Sequence, residues 1–322
     1  MNFSVQFKVR GDDFGGHFIN GISMADSESF WKCRLVSADD EKNVYESSDG
    51  YKITAYHIKK GDVFECYTVF ENNTDSVVTL DMISSFAITD LDFDTLHRAT
   101  SFWSAEGKML SQKLTDLNME RSWSGHGIRI EKFGQVGSMP VRKWFPFVAI
   151  ENSEKNEFIG VQLYIPSSWQ IELFRHKEPL TLLGGLADFD YGHWCKEILP
   201  CENFTTPKAV VAVGDSLLKV CDMLVKAQQP DISSVDEDLP VIFNEYCTSW
   251  GNPTIENLEK TAKKLQGSGV KYLVMDSGWY KEDGKEWWDT IGDWNVNKSQ
   301  FPDGLKPVCD MIKSYGLIPG IW

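Results

Sequence analysis

Near residue 230 the apolar residues change period, and that change limits what the chain can fold into more than any other feature. Before it, short alternating or β-branched runs recur: YKITAYHI (51–58), VFECYTVF (63–70), SVVTLDMI (76–83), GIRIEKF (127–133), FVAIEN (147–152), FIGVQLYI (158–165), WQIELF (169–174) and AVVAV (209–213). Turn clusters such as SSDG, KKGD, NNTD and NSEKNE separate them. Period-two runs bounded by turn residues read as strands. Helical spacing is almost absent until Leu217, Val220, Leu224 and Ala227. Many strands without alternating helices predict a mainly β fold, a large antiparallel sandwich over residues 1–229. The acidic, Pro- and Ser-containing stretch 230–240 reads as a linker.

From residue 241 strands and helices alternate. VIFNEY (241–246) reads as a strand and TIENLEKTAKKLQ (254–266) as a helix, with Thr254 as its cap, lysines late and Gly267 as its stop. The helix stripe is Ile255, Leu258, Ala262 and Leu265. VKYLVMD (270–276) is apolar nearly throughout, as a parallel strand buried on both faces should be. GLKPVCDMIKSY (304–315) reads as a second helix, with Pro307 in its first turn and Gly316 as its stop. LIPGIW (317–322) is a third strand. The order βαβαβ predicts a parallel sheet with right-handed crossovers. A complete (β/α)8 barrel needs about 250 residues. The expectation for 241–322 is therefore the start of such a barrel, truncated after its third strand.

Charge narrows the partners. The formal net charge is −15, from 32 Lys and Arg against 47 Asp and Glu, so phosphate backbones and anionic lipid surfaces are repelled. Neither nucleic acid nor membrane is an expected partner. The first residues show no basic segment followed by an apolar run, and no stretch reaches the roughly 20 apolar residues of a membrane helix. Seven cysteines stand singly, without a C-x-x-C pair, and read as reduced thiols of a cytoplasmic protein. The six histidines lack metal-ligand spacing. No cofactor and no metal are expected.

In parallel α/β sheets, chemistry gathers at the carboxyl ends of the strands. Asn244, Glu245, Trp250, Asp276, Trp279, Trp287, Trp288, Asp293, Trp294 and Trp322 should therefore face one rim. Twelve tryptophans in the chain could simply fill a core, but six of them fall in residues 250–322, a composition suited to stacking on sugar faces. The Asp276 carboxylate can accept from two adjacent hydroxyls, although an aspartate there also caps turns or pairs with lysine. Asp293, after a glycine, also fits turn chemistry. Glu245 fits either a substrate contact or a structural partner. Trp103 and Trp169, in the sandwich half, read as core or packing residues.

SWGNPT (249–254), VMDSGWY (274–280), GDWNVNKSQFPDGLK (292–306) and GLIPGIW (316–322) resemble the first three barrel strands of glycoside hydrolase family 36, the α-galactosidase or melibiase type. YTVFENNTDSVVTLDMISSFAI (67–88) and FTTPKAVVAV (204–213) are similar to that family's β-supersandwich, so the resemblance covers essentially the whole chain. It implies retaining hydrolysis of terminal α-linked galactose in oligosaccharides. One carboxylate attacks the anomeric carbon and another protonates the leaving oxygen, the two about 5–5.5 Å apart.

By the same resemblance, Asp276 takes the place of the first aspartate of a pair that holds galactose hydroxyls. Trp250 and Trp322 match tryptophans lining the sugar pocket, and Trp279 and Asp293 fall within the matching motifs. Ser277 replaces the second aspartate, exchanging a charge-assisted pair of hydrogen bonds for one, a difference of about 1–2 kcal/mol. That leaves an N-acetylated or differently branched sugar as an alternative to galactose. The family's nucleophile and acid/base sit at the ends of strands four and six, and no residue among 1–322 matches either. The chain is thus expected to be inactive alone, and the resemblance implies a homo-oligomer. The alternative is a non-hydrolytic sugar-binding or transglycosylase-related module.

Overall fold

The computed structural model describes residues 1–13, 19–121, 127–176, 179–229 and 232–322. Contacts divide the chain into two compact units, Met1–Gln229 and Pro230–Trp322. Pro230 and Asp231, part of the expected linker, lie outside the described residues.

Among the described residues, the first unit holds a seven-stranded and a ten-stranded sheet whose strand pairs are antiparallel. Phe86, Trp169, Ile171 and Leu182 from the first sheet share one buried cluster with Leu96, Val148, Ile150 and Val161 from the second. The sheets therefore pack face to face, as the alternating runs require. Val78–Leu91 is the longest strand, at 14 residues, and is buried over most of its length. It pairs with Asn2–Ser4, Phe7–Val9, Leu180–Leu186 and Lys196–Ile198. Tyr51–Lys60 and Val63–Asn72 form a hairpin whose turn needs Gly61 at φ 60°.

The helix Leu217–Ala227 begins where the Ser216 hydroxyl accepts from the Lys219 amide. It lays Val220 and Leu224 on the outer face of the ten-stranded sheet. A Cβ at Gly160 would strike Val220, so that strand must be bare at this point.

Of the two tryptophans read as core or packing residues, Trp103 needs correction and Trp169 does not. Trp103 is not a packing residue: it stands 85% exposed in the turn between Thr95–Thr100 and Lys108–Lys113, where no second sheet covers it. Trp169 is fully buried, its indole nitrogen donating to the Pro140 carbonyl at 2.6 Å.

The second unit carries a parallel sheet in chain order, Val241–Asn244, Val270–Met275, Ile318–Ile321. Helices Ile255–Leu265 and Lys306–Ser314 connect the strands. The Thr254 hydroxyl accepts from the Asn257 amide at the first helix start, and Gly316 at φ 80° closes the second. Leu258, Ala262, Val308 and Ile312 bury against Leu273 and Met275. Burial on both faces is not what the sheet shows: Val241, Ile242, Ile318 and Ile321 are exposed. The described helices cover one face only. The first strand also stops two residues early, at Asn244, because residues 246–249 turn into a single helical turn, Tyr246–Ser249.

Candidate functional site

The carboxyl ends of the three parallel strands meet through backbone bonds. The Glu245 amide donates to Val274 O at 3.1 Å and the Trp322 amide to Met275 O at 3.0 Å, placing the three ends side by side. The loops above them are held by glycines. Gly278 has φ 107°, and a Cβ there would collide with the Gly251 carbonyl oxygen. Gly251 has φ 80°, and a Cβ there would collide with the Trp287 ring. Only glycine fits both positions, so the D-S-G-W and S-W-G-N turns interlock.

Asp276 is the braced centre of this rim. Its Oδ2 accepts from the Asn244 side-chain amide at 2.6 Å, and its Oδ1 accepts from the Ser277 amide at 2.6 Å and the Ser277 hydroxyl at 2.9 Å. The carboxylate is half-buried, so it stays accessible from above. Oδ1 is filled by its two donors, and Oδ2 retains a lone pair for a further one. Ser277 is buried and directs its hydroxyl at Asp276. The hydroxyl expected to hold the sugar fixes the neighbouring carboxylate instead.

Glu245 lies beneath. It is buried, and its Oε1 accepts from the Asp276 amide at 3.1 Å. Burial pushes its carboxyl above the ordinary range, with the Asp276 charge adding to the rise against hydrogen bonds from Ser249 and the Asp276 amide. Of the two readings open for Glu245, the structure supports the structural partner: it positions the Asp276 backbone.

Tryptophans flank the carboxylate in two groups. Trp250, 71% exposed and at φ 53°, meets the Tyr246 ring edge-on at 5.7 Å, and Tyr246 meets Trp287 at 6.0 Å. Trp322, 56% exposed, contacts Trp294 at 6.3 Å, and Trp294 stacks on Trp279 at 6.2 Å. Trp279 is itself buried, its indole nitrogen donating to Trp322 O at 2.9 Å, so it underlies the rim. Asp293 is exposed and lines a hollow of about 260 Å³ with Tyr280 and Asp283; neither Asp276 nor Trp250 lines it. Sequence reasoning missed Tyr246 and Tyr280. Each directly neighbours a selected residue, and the aromatic pair Trp279–Tyr280 was the available signal. Among the described residues, no group of three His, Cys, Asp or Glu side chains could hold a metal ion, and no helix is long and apolar enough to cross a membrane.

The melibiase family model matches residues 203–322, which include the whole rim. That matched part of the chain is similar to the melibiase family, and the whole chain shares the fold of glycoside hydrolase family 36 structures. Curated relatives include the α-galactosidase Mel36A of Lactobacillus acidophilus, 24% identical over 64% of this chain and 29% of that protein. The probable α-galactosidase G of Emericella nidulans is 24% identical over 75% of this chain and 32% of its own length. The chain thus spans about a third of the length of these relatives. The crystal structure of the α-galactosidase AgaA from Geobacillus stearothermophilus superposes over 100% of this chain and 44% of its own, with a TM-score of 0.69 and 18% identity, a likeness of fold. Variants of AgaA have been solved with stachyose and with raffinose.

Proposed function

We propose that residues 241–322 are the first three strands of a (β/α)8 catalytic barrel joined by a 230–240 linker to a β-sandwich domain, and that the chain is part of a retaining α-galactosidase-type hydrolase. Its substrate class is oligosaccharides ending in α-linked galactose. The observation that carries this reading is the Asp276 carboxylate, held by Asn244 and Ser277 at the sheet's carboxyl edge between two exposed tryptophans. A fixed carboxylate with a free lone pair accepts from a sugar hydroxyl, and indole faces pack on the apolar face of a pyranose.

In this reading the free lone pair of Asp276 Oδ2 accepts from a hydroxyl of the terminal sugar, Trp250 and Trp322 cover the ring, Trp279 supports Trp322 from below, and Asp293 serves farther along the rim. None of these residues attacks the anomeric carbon. Glu245 cannot serve as partner carboxylate to Asp276 in a retaining pair, because it is buried and bonded to the Asp276 backbone. The 322-residue chain should accordingly bind galactosides without cleaving them. Incubation with an aryl α-galactoside, read by release of the phenolate, should give no turnover above buffer. Turnover that survives Asp276→Asn would overturn the division of roles.

A further inference from the structure

The helix-bearing outer face of the ten-stranded sheet carries a chain of three polar side chains. His97, on the strand Thr95–Thr100, is 5% exposed. It alternates with Ala99, which packs in the same cluster as the helix residues Val220 and Leu224, so it shares their face. His97 Nδ1 lies 2.8 Å from the Ser111 hydroxyl, and its Nε2 lies 2.9 Å from Glu151 Oε2. A carboxylate only accepts, so Nε2 carries the ring proton, Nδ1 is left to accept, and the Ser111 hydroxyl donates to it. Phe158 stacks on the imidazole with ring centres 5.9 Å apart, which holds the ring plane. Strand register assembles the three: Ser111 stands opposite His97 on one side, and Ala149, two residues before Glu151, stands opposite it on the other. Ser111 is exposed. A hydroxyl bonded to an imidazole that a carboxylate orients is the arrangement that activates a serine nucleophile.

A hollow lies beside it. Met109, Ala99, Phe147 and Gln162 form the next row on the same face, two residues along from Ser111, His97, Ala149 and Gly160. That row floors a hollow of about 390 Å³, with Cys221 and Leu224 of the helix Leu217–Ala227 as its wall. The spacing puts it about 7 Å along the strands from Ser111. Its lining is mostly apolar, and its volume falls within the range of small-ligand pockets.

The backbone supplies a donor. The strand Lys108–Lys113 ends the sheet and pairs on one side only among the described residues. The Leu114 amide donates toward that neighbour, to the Asp94 carbonyl at 2.8 Å. Backbone groups alternate in direction along a strand, so the Ser111 amide, three residues earlier, points to the open edge. An N–H on the nucleophile's own residue is placed to receive the negative oxygen of a tetrahedral intermediate.

We propose that Ser111, His97 and Glu151 form an acyl-transfer site that hydrolyses esters of short apolar carboxylic acids, with the acyl chain in the hollow. Ser111 Oγ adds to the ester carbonyl carbon as its proton passes to His97 Nδ1. The carbonyl oxygen, now negative, accepts from the Ser111 amide. The bond to the leaving alcohol breaks, and the alcohol oxygen takes the proton from His97. Water then adds to the acyl carbon by the same route, releasing the acid and restoring the Ser111 hydroxyl. Ser111 and His97 are the catalytic residues, and Glu151 positions the imidazole. The site lies wholly within the sandwich unit and draws nothing from the Asp276 rim.

The test treats the 322-residue chain with a butyl fluorophosphonate, maps the adduct by peptide mass spectrometry, and follows hydrolysis of p-nitrophenyl butyrate and acetate. The adduct should fall on Ser111, and butyrate should be favoured over acetate by about tenfold, since its longer chain enters the hollow. Ser111→Ala should abolish both signals with its melting temperature little changed, because the side chain is exposed. His97→Gln should slow labelling about a hundredfold or more. Glu151→Gln should lower the maximal labelling rate and leave the probe concentration at half-maximal rate unchanged, a split that a merely structural role would not produce. It also carries the test should the buried His97 variant fail to fold. No adduct, an adduct on another residue, or a Ser111 adduct formed equally fast in His97→Gln and Glu151→Gln overturns the proposal.

Discussion

In the sandwich unit Trp169 sits between two sheets with none of its surface exposed and its indole nitrogen bonded to Pro140. In the parallel unit Trp250 and Trp322 leave more than half of their surface open beside a braced carboxylate. The same residue type does two jobs, and the difference follows from what lies opposite. Trp169 faces the apolar side of a second sheet, whereas the tryptophans at the strand ends sit above the sheet, where neither helix reaches. The sandwich spends its apolar residues on its own core. The parallel unit leaves aliphatic strand residues and ring faces uncovered while its polar groups hold Asp276 still.

Substitution should expose this contrast most at Trp169. Trp169→Ala removes a fully buried side chain from the inter-sheet core and should cost about 3–5 kcal/mol, read as a fall in the urea midpoint of the sandwich. Gly278→Ala attacks the other unit. Its left-handed backbone and the collision with Gly251 O should cost about 1–3 kcal/mol, and the interlocked turns that carry Asp276 should lose protection from hydrogen exchange.

A smaller effect is a difference in pH response. In the sandwich, hydrogen bonds from Lys113, Ser153 and Thr95 outweigh burial and hold Asp94 well below the usual carboxylate range. Its contribution is present above the unfolded value of about 4 and is lost as pH falls through the depressed one. Glu245 runs the other way. Its carboxyl is raised by burial, so its contribution is present below the unfolded value of about 4.3 and is lost as pH rises through the raised value. Glu245→Gln should flatten the decline of the parallel unit above about pH 4, and Asp94→Asn should flatten the acid loss of the sandwich. Unfolding midpoints across a pH series check both slopes. The smallest effect on stability is expected at Trp250. Trp250→Ala should change it by no more than about 0.5 kcal/mol while weakening sugar binding, the reverse of Trp169→Ala.

The elements that were legible are those with a clear apolar run between turn residues or one wet and one dry helix face. FVAIEN is a strand over Phe147–Asn152, and the helix at Ile255–Leu265 starts at its threonine cap. The strands Cys33–Ala38 and Lys42–Ser47 were overlooked because they lie at a sheet edge with little burial on either side, so their side chains show no alternation. Leu180–Leu186 was missed because Gly184 and Gly185 interrupt its pattern; their bare backbones pack against Gln170 and Ser85, a contact between distant segments. The rim was legible as position, since strand order alone puts Asp276, Trp250 and Trp322 at the carboxyl edge. Its bracing was not. That Ser277 turns inward and Glu245 lies under the Asp276 amide depends on hydrogen bonds across 31 residues in one case and on a buried rotamer in the other.

The central claim is that the Asp276 carboxylate holds a sugar. Isothermal titration of galactose into the wild-type chain and into Asp276→Asn tests it most directly. The asparagine keeps the shape but loses the charge, and should weaken binding by about tenfold or more with the unfolding midpoint little changed. Equal affinity in the two proteins would contradict the claim.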